Sequence, residues 1–548
     1  MDNLRAIILA AGFGTRLTPV TDHIPKPLLP VVGQPLLDQI IDRVFQAGAS
    51  KIAINSHHLG GMIGTHVAAH SQTEKLEHFP EAEILGTGGA LANAREFLGD
   101  SRRFMVHNGD VISDMDLAAL LADHNRSGAL VTMALVPWPA VNTVLLGVDG
   151  AVRHIAGLSE APEPKEGDRK LTYTGVAVFE ASFLENIEAG ESSLITPIVE
   201  ILKESPGLVR GFAPPSLAWD DLGTLSRWLR ATEVDANTVD GFGLSRITGH
   251  GSDRKFWRLS QGDWSAVAMM SPPEDEEYRR FVTIGSFLHS QELGAAEFLS
   301  RADEARTVLM ADLGPESLYA LTKNESLPVD SLTKKYEAVV DHLLVLQAAT
   351  ESAAELCPSA LDRVFGRDQL LFESSYFEKQ FLQGHLGLEP ELTAPLAPEF
   401  NELAKAVDKM PKVLMHRDFQ SQNIHLQGDK VRLVDYQGMR RGPFAYDLAS
   451  LVWDPYVDLP ETLRQALVQR FASQTPLVKS DHVAQMSILA GLQRLMQALG
   501  AYSYLGHVKG RTKFLDHIPS GLNNLQQLLG QTTSIQLPRL TELVSKLS

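Results

Sequence analysis

The sequence holds one cysteine, Cys357, among 548 residues. No disulfide framework and no cysteine-built zinc site can form within one such chain, and a reducing compartment fits. Long hydrophobic runs are missing as well: no stretch approaches the ~20 apolar residues of a membrane span. The N-terminal apolar run is short, contains Arg5 and flows into a glycine loop. Neither a signal peptide nor a membrane anchor is expected, and the expected location is cytoplasmic. Positive charge is the minority sign, 49 Lys+Arg against 67 Asp+Glu for a net charge of −18. Nucleic-acid binding draws on a basic face, so that class is excluded. A nucleotide needs only a local positive pocket and is not. The 18 histidines show no HExxH or similar metal spacing, and His57-His58 reads as a surface turn. No internal repeat and no low-complexity tail is present. What remains is ordinary globular composition, 44% hydrophobic and 21% charged. The length suffices for two to four domains of roughly 150 residues each.

The chain is organised around Leu9 to Pro27, LAAGFGTRLTPVTDHIPKP. An apolar run, Ala6–Leu9, reads as a buried strand leading into Leu9, Ala10, Ala11, Gly12, Gly14, Thr15 and Arg16. Glycines let main-chain amides approach a polyphosphate and form an anion nest. Arg16 and, ten residues on, Lys26 between two prolines add fixed positive charge for a triphosphate. Up to about residue 230 the pattern alternates. Arg5–Ala11, Lys51–Asn55, Arg103–His107 and Leu130–Val136 read as strands, and Leu36–Ala47 as a helix with Leu36, Leu37, Ile40, Ile41 and Val44 on one face. That alternation predicts a Rossmann-like α/β domain, a mostly parallel sheet with helices on both faces and its ligand beyond the carboxyl ends of the strands. Asp110 in Asn108-Gly109-Asp110 lies at such an end. Asp220 and Asp221 follow Trp219. Magnesium takes one or two carboxylates plus phosphate oxygens, so Asp110 with either later acid would suit it. A helix start is the other reading of Asp220 and Asp221.

The string G-x-G-T-R-L followed by P-K-P resembles the signature of the sugar-phosphate nucleotidyltransferases. The family carries N-G-D at the Asp110 position and W-x-D-x-G-T near the domain's end, which selects Asp221 as the second metal ligand. The resemblance covers nearly all of residues 3–235. It implies nucleotide contacts from Leu9, Ala10, Ala11, Gly12, Gly14, Thr15, Arg16 and Lys26, catalytic roles for Arg16 and Lys26, and a base-pocket segment Glu83–Gly89, with Glu83 and Gly88 as contacts. That segment reads equally as a helix start with flexible glycines. Thr172-Tyr173-Thr174-Gly175 resembles the strand that contacts the sugar, giving Asn108, Thr174 and Gly175 as sugar contacts. The family's Glu-Lys-Pro for the sugar phosphate is missing; Glu163-Pro164-Lys165 is the nearest string. Compact size resembles the N-acetylmuramate 1-phosphate uridylyltransferase subgroup, with phosphocholine cytidylyltransferases as cousins.

Thr232 to Phe242 is polar with no clear period and is read as a linker. The predicted division is a first domain over 1–232, a linker over 233–243 and a second domain over 244–548, its small lobe about 244–314 and its helical large lobe about 315–548. Strand-like runs resume at Leu244–Ile247, Lys255–Leu259 and Ala266–Met270. Between them, Gly249–Lys255 is a candidate phosphate loop or a plain hairpin turn. Val308–Leu313 reads as a strand leading to a hinge. In Val413–Gln437, VLMHRDFQSQNIHLQGDKVRLVDYQ, Asp418 stands in His416-Arg417-Asp418, Asn423 follows five residues later and Asp435 follows the strand Val431–Val434. This is the kinase layout of a catalytic Asp that accepts a hydroxyl proton and an Asn and Asp that offer oxygens to magnesium.

Departures point away from protein kinases: Asp435-Tyr436-Gln437 replaces Asp-Phe-Gly, and no Ala-Pro-Glu follows. Gly442–Leu451 resembles the two-lobed aminoglycoside phosphotransferase and choline kinase group, where Asp447 would hold the catalytic loop. Ser252–Phe256, Met270–Pro273, Asp312–Gly314 and Gln493-Arg494 resemble the kinases that phosphorylate N-acetylmuramate and N-acetylglucosamine at C1, over roughly residues 243–530. The third strand, Ala266–Met270, lacks the usual phosphate-holding Lys. Ser252, Arg254 and Lys255 are the nucleotide contacts expected instead. Val483–Leu499, with Met486, Leu489, Leu492, Met496 and Leu499 at helical spacing, reads as core. The two resemblances in series imply a bifunctional salvage enzyme for peptidoglycan recycling, taking ATP, UTP, Mg2+ and a free amino sugar to a UDP-amino sugar. The alternatives are choline kinase with a phosphocholine cytidylyltransferase, with Trp453 and Tyr456 in an aromatic cage, and an antibiotic-type phosphotransferase fused to a nucleotidyltransferase.

Overall fold

The computed structural model describes residues 3–156, 163–232, 236–239, 241–247 and 253–547. The chain forms two compact units, Met1–Pro272 with Leu299–Leu309, and Pro273–Phe298 with Met310–Ser548.

The first unit is built on a nine-stranded sheet. Leu4–Leu9 is an inner strand, third from one edge, parallel to Ala49–Ser56 on one side and to Arg103–Asn108 on the other. Leu76–Pro80 extends the parallel set beyond Ala49–Ser56. The set ends at Arg103–Asn108, because the long strand Arg169–Glu180 pairs with it antiparallel. The sheet is therefore mixed, with its parallel part where the glycine loop leaves it. Leu9 stands opposite both Asn55 and Asn108, so three neighbouring strands end level and their outgoing loops share one edge. The helix Leu36–Gln46 buries the face its spacing predicts: Leu36, Leu37, Ile40, Ile41 and Val44.

A six-stranded sheet follows in the order Ala236–Val239, Phe242–Ile247, Lys255–Gln261, Trp264–Met270, Thr307–Ala311, Phe298–Ala302. Part of the polar stretch read as a linker is thus a strand, Ala236–Val239, paired antiparallel with Phe242–Ile247. Every second residue of the next strands points one way. Phe242, Leu244, Trp257, Leu259, Ala266 and Ala268 share one continuous hydrophobic core with Leu36, Ile40, Trp228 and Leu229. Trp264 stacks on His23, ring centroids 4.1 Å apart, and lies 6.5 Å from Phe242, which lies 6.3 Å from Trp228. Trp228 Nε1 donates to Pro30 O at 2.9 Å. This aromatic row runs from the sheet to the segment that carries Lys26.

The second unit is mostly helical. Its longest helices are Val329–Ala348 and Ser480–Ser503. Val483, Leu489, Leu492, Met496 and Leu499 are buried as their spacing predicts, and Met486 is half-buried. Two short ribbons frame the catalytic-loop sequence: Lys412–Met415 with Arg440–Pro443, and Ile424–Gln427 with Lys430–Leu433. Among the described residues, no helix is long and apolar enough to cross a membrane.

Candidate active sites

In the first unit the loop after Leu4–Leu9 turns at Gly14, whose φ of 66° is left-handed. A Cβ there would meet Thr21 Cγ2 at 2.8 Å, so both the conformation and the space require glycine. The loop is anchored from the neighbouring strands. Ala10 N–H donates to Asn55 Oδ1 at 2.7 Å, and Gly109 N–H donates to Leu9 O at 2.8 Å. Asn55 Nδ2 in turn donates to the buried Glu81, whose other oxygen accepts from Leu85 N–H at 2.9 Å.

A cavity of about 320 Å³ opens over this edge. Leu9, Ala10, Ala11, Gly12, Gly14, Thr15, Arg16, Lys26, Asn108 and Asp110 line it together with Asn55, Ile84, Gly86, Thr87, Gly109 and Gly223. The second acid arrives through a two-residue ribbon. Ile112–Ser113, just after Asp110, pairs with Trp219–Asp220, just before Asp221. Lys26 ties the two acid positions together. Its buried ammonium donates to Asp110 Oδ2 at 2.6 Å and to Asp221 O at 2.8 Å. The Asp221 carboxylate faces Arg16 at 3.5 Å and Arg227 at 2.5 Å, and Gly223 N–H donates to it at 3.0 Å.

Asn108 and Gly175 are in contact: φ is +82° at Gly175, and a Cβ there would lie 2.5 Å from Asn108 Nδ2. Thr174 is buried, its hydroxyl donating to Ala134 O at 3.0 Å and its carbonyl accepting from Trp219 Nε1 at 3.0 Å. Glu83 is exposed and outside the cavity lining, and Gly88 is buried against Ser192. His57 and His58 are half-buried, their ring nitrogens on Glu81 O and Thr21 O. Arg254 is half-buried and Lys255 is exposed, where the strand Lys255–Gln261 begins. Ser252 and the rest of the stretch from 248 lie outside the described residues.

In the second unit the catalytic-loop sequence is held by a buried carboxylate. Asp447, on the helix Ala445–Val452, accepts His416 N–H at 2.6 Å and Arg417 N–H at 2.9 Å. Arg417 has a φ of +80°, a conformation that costs an ordinary residue free energy and persists when its surroundings fix it. Burial pushes the Asp447 carboxyl up to about 7, against the pull of those two donors. His416 Nε2 meets Val434 O at 3.1 Å, and burial pushes the ring down to about 4, so it stays neutral at pH 7.

Asp418 forms an ion pair with Arg494 at 3.1 Å. Burial alone would raise its carboxyl; Arg494 first and Arg417 second outweigh that and hold it below the usual carboxylate range. Asn423 Nδ2 donates to Asp418 O at 2.9 Å, which leaves its amide oxygen as the group to offer elsewhere. Asp435 sits at φ +61° with Oδ1 accepting from Gln437 Nε2 at 2.6 Å. Deeper in, Glu373 accepts from Tyr446 at 3.1 Å and faces Arg417 at 4.0 Å; burial pushes its carboxyl up to about 7.

Both donor sets fit a hard divalent cation. Asp110 with Asp221, and Asn423 with Asp435, offer only oxygens. Among the described residues no group of three or more His, Cys, Asp or Glu could hold a metal ion. One face of the buried Trp453 carries the Arg464 guanidinium, 4.5 Å from the ring centroid.

Asn55, Glu81, Arg227 and Glu373 carry the geometry without having been expected as site residues, and Arg494, quoted above only within a family string, had been given no role. Asn55 had a signal, as a polar residue ending a strand beside the glycine loop. Arg494 lies inside a helical apolar pattern, so its string marks a family resemblance while its partner Asp418 cannot be read from it.

The chain is a two-site transferase. A family model described as nucleotidyl transferase matches residues 5–238, and one described as phosphotransferase enzyme family matches residues 243–479. The chain belongs to the nucleotidyl transferase family in its first half and to the phosphotransferase enzyme family in its second. The N-acetylmuramate alpha-1-phosphate uridylyltransferase of Neisseria meningitidis is 34% identical over 228 residues, 41% of this chain and 95% of that protein. The N-acetylmuramate/N-acetylglucosamine kinase of Pseudomonas aeruginosa is 26% identical over 337 residues, 59% of this chain and 96% of that protein. The mannose-1-phosphate guanylyltransferase of Mycobacterium tuberculosis is 30% identical over 250 residues, 45% of this chain and 67% of that protein.

Proposed function

We infer that this chain phosphorylates N-acetylmuramate, and N-acetylglucosamine, at the anomeric hydroxyl and then joins the sugar 1-phosphate to UMP, giving a UDP-amino sugar and pyrophosphate. The observation that carries this is the pairing itself. Two relatives, each matched over nearly its whole length by a different half of one chain, are named for the same sugar. A C1 kinase makes the 1-phosphate that a uridylyltransferase consumes. The role is recycling of peptidoglycan sugars in the cytoplasm, where ATP and UTP are at hand. The partners are small molecules.

In the kinase half, the C1 hydroxyl oxygen bonds to the γ-phosphorus of ATP. The bond from that phosphorus to the β,γ-bridging oxygen breaks, and ADP leaves with the electron pair. Asp418 takes the hydroxyl proton, and Asp447 holds the loop that presents it. In the other half, a phosphate oxygen of the sugar 1-phosphate bonds to the α-phosphorus of UTP, and pyrophosphate departs. Little proton transfer is needed there, so positioning and charge dominate. The loop from Ala11 to Thr15 cradles the triphosphate with main-chain amides, Arg16 and Lys26 neutralise it, and Asn108 with Gly175 faces the sugar. Magnesium bound by Asp110 and Asp221, and by Asn423 and Asp435, would supply positive charge to the phosphate oxygens.

The test is a mass-spectrometric assay of the whole chain with ATP, UTP, Mg2+ and free N-acetylmuramate, N-acetylglucosamine, other hexoses or choline. A UDP-amino sugar is expected from the free sugar. Asp418→Asn should abolish the kinase step and spare uridylyl transfer to supplied sugar 1-phosphate; Asp110→Asn should do the reverse. Phosphocholine formation without sugar phosphorylation, or loss of both steps in either folded variant, would overturn the assignment.

A further inference from the structure

We propose that Arg494 is a positioning residue of the kinase half, acting through a two-pronged grip on the catalytic loop. One prong is Nη1, 3.1 Å from Asp418 Oδ1. The other is Nη2, which donates to Gln420 Oε1 at 2.8 Å. A planar guanidinium fixes two acceptors at once, which a lysine ammonium does without that planar constraint. The grip comes from a rigid base. Arg494 is buried near the middle of the helix Ser480–Ser503, and its neighbour Gln493 is fully buried and donates to Leu370 O at 2.8 Å. Nη1 also donates to Gln497 Oε1.

Other charged and titratable groups surround Asp418. Arg417 and His416 share its loop, Arg440 comes from the ribbon, and Tyr446, Asp447 and Tyr456 approach from elsewhere. Arg417 also faces Glu373. Among the described residues, Arg494 makes the one ion pair with the Asp418 carboxylate. In phosphoryl transfer a small displacement of the group that receives the hydroxyl is costly, so the grip should act on turnover rather than on binding.

This inference rests on the reading of Asp418 as proton acceptor. The experiment uses the full chain and compares Arg494→Lys, Gln420→Ala, the double variant and Asp418→Asn in steady-state phosphorylation of N-acetylmuramate. Binding of a fluorescent ATP analogue reports folding of the kinase half. Arg494→Lys is expected to lower kcat at least about thirty-fold, with KM for ATP and sugar within about two-fold. Gln420→Ala should lower kcat less, and the double variant should be no worse than Arg494→Lys, as for two contacts of one grip. A kcat for Arg494→Lys within two-fold of wild type, or a loss carried by KM, overturns the inference. If Arg494→Lys does not bind the ATP analogue, Gln420→Ala decides: wild-type kcat there overturns the inference, and lowered kcat with unchanged KM supports it. Retained turnover in Asp418→Asn would instead overturn the reading on which it rests.

Discussion

Gly175 leaves no room for a side chain beside Asn108. Its φ of +82° and the 2.5 Å from a built Cβ to Asn108 Nδ2 mean that a methyl group would both strain the strand and push Asn108 aside. Gly175→Ala is expected to raise KM for sugar 1-phosphate about ten-fold, on strain of about 1–2 kcal/mol, while phosphorylation of free sugar is unchanged. Unaltered uridylyl-transfer kinetics would show that Asn108 does not face the sugar. At this scale the sequence was legible where chemistry demands a string. Gly14, Lys26, Asp110 and Asp418 were visible because glycine, cation and acid recur at fixed offsets. The contacts of Asn55, Glu81 and Arg494 were not, because each acts from a separate element across long sequence separation. Asp221 was picked over Asp220 only by resemblance: alone the two are alike, and the ribbon from Trp219–Asp220 to Ile112–Ser113 is too short to announce itself.

Elements were easier to read than their joints. The helix Leu36–Gln46 and the strands Ala49–Ser56, Arg103–Asn108 and Trp264–Met270 follow from periods of 3.6 and 2 within a residue or two of their ends. Ala236–Val239 hid in a polar stretch because it has a partner on one side only, Phe242–Ile247, and so lacks the apolar run of a central strand. The antiparallel pairing of Arg169–Glu180 was equally hidden, since an extended run carries no mark of its direction. The loop that carries Asp418 depends on an element it does not belong to. Asp447→Ala would leave the buried N–H groups of His416 and Arg417 without their acceptor. The expected loss is about 2–6 kcal/mol in unfolding of the second unit, from roughly 1–3 kcal/mol for each unsatisfied group. Phosphorylation should fall with it and uridylyl transfer should persist. Denaturant melts with both assays on one preparation would check this, and undiminished phosphorylation would refute the bracing role.

For the whole molecule, the stability of the second unit should carry an inverted pH dependence. Glu373 is pushed up to about 7 by burial, from an ordinary value of 4.5. A carboxyl raised on folding favours the folded state fully below its unfolded pKa and loses that contribution as pH rises through the folded one. Its share of stability is therefore expected to fall between about pH 4.5 and 7 and to level off above. Glu373→Gln should flatten that part of the curve, read as unfolding midpoints at successive pH values. An unchanged slope would place the titration elsewhere. The two family matches part between residues 238 and 243, yet the core does not. Phe242, Leu244, Trp257 and Leu259 lie in the same apolar body as Trp228 and Leu36, each large one contributing roughly 1.5–3 kcal/mol of burial. A fragment ending at residue 240 is expected to aggregate or to melt well below the full chain, by light scattering and calorimetry. A monomeric fragment with full-chain stability would show the shared core to be dispensable. If it is not, heredity faces a constraint that chemistry does not. A crossover in the gene at the boundary between the two activities would deliver a broken protein. A lineage keeping only the nucleotidyltransferase would first have to redecorate its exposed flank with polar residues, so the fusion resists being undone.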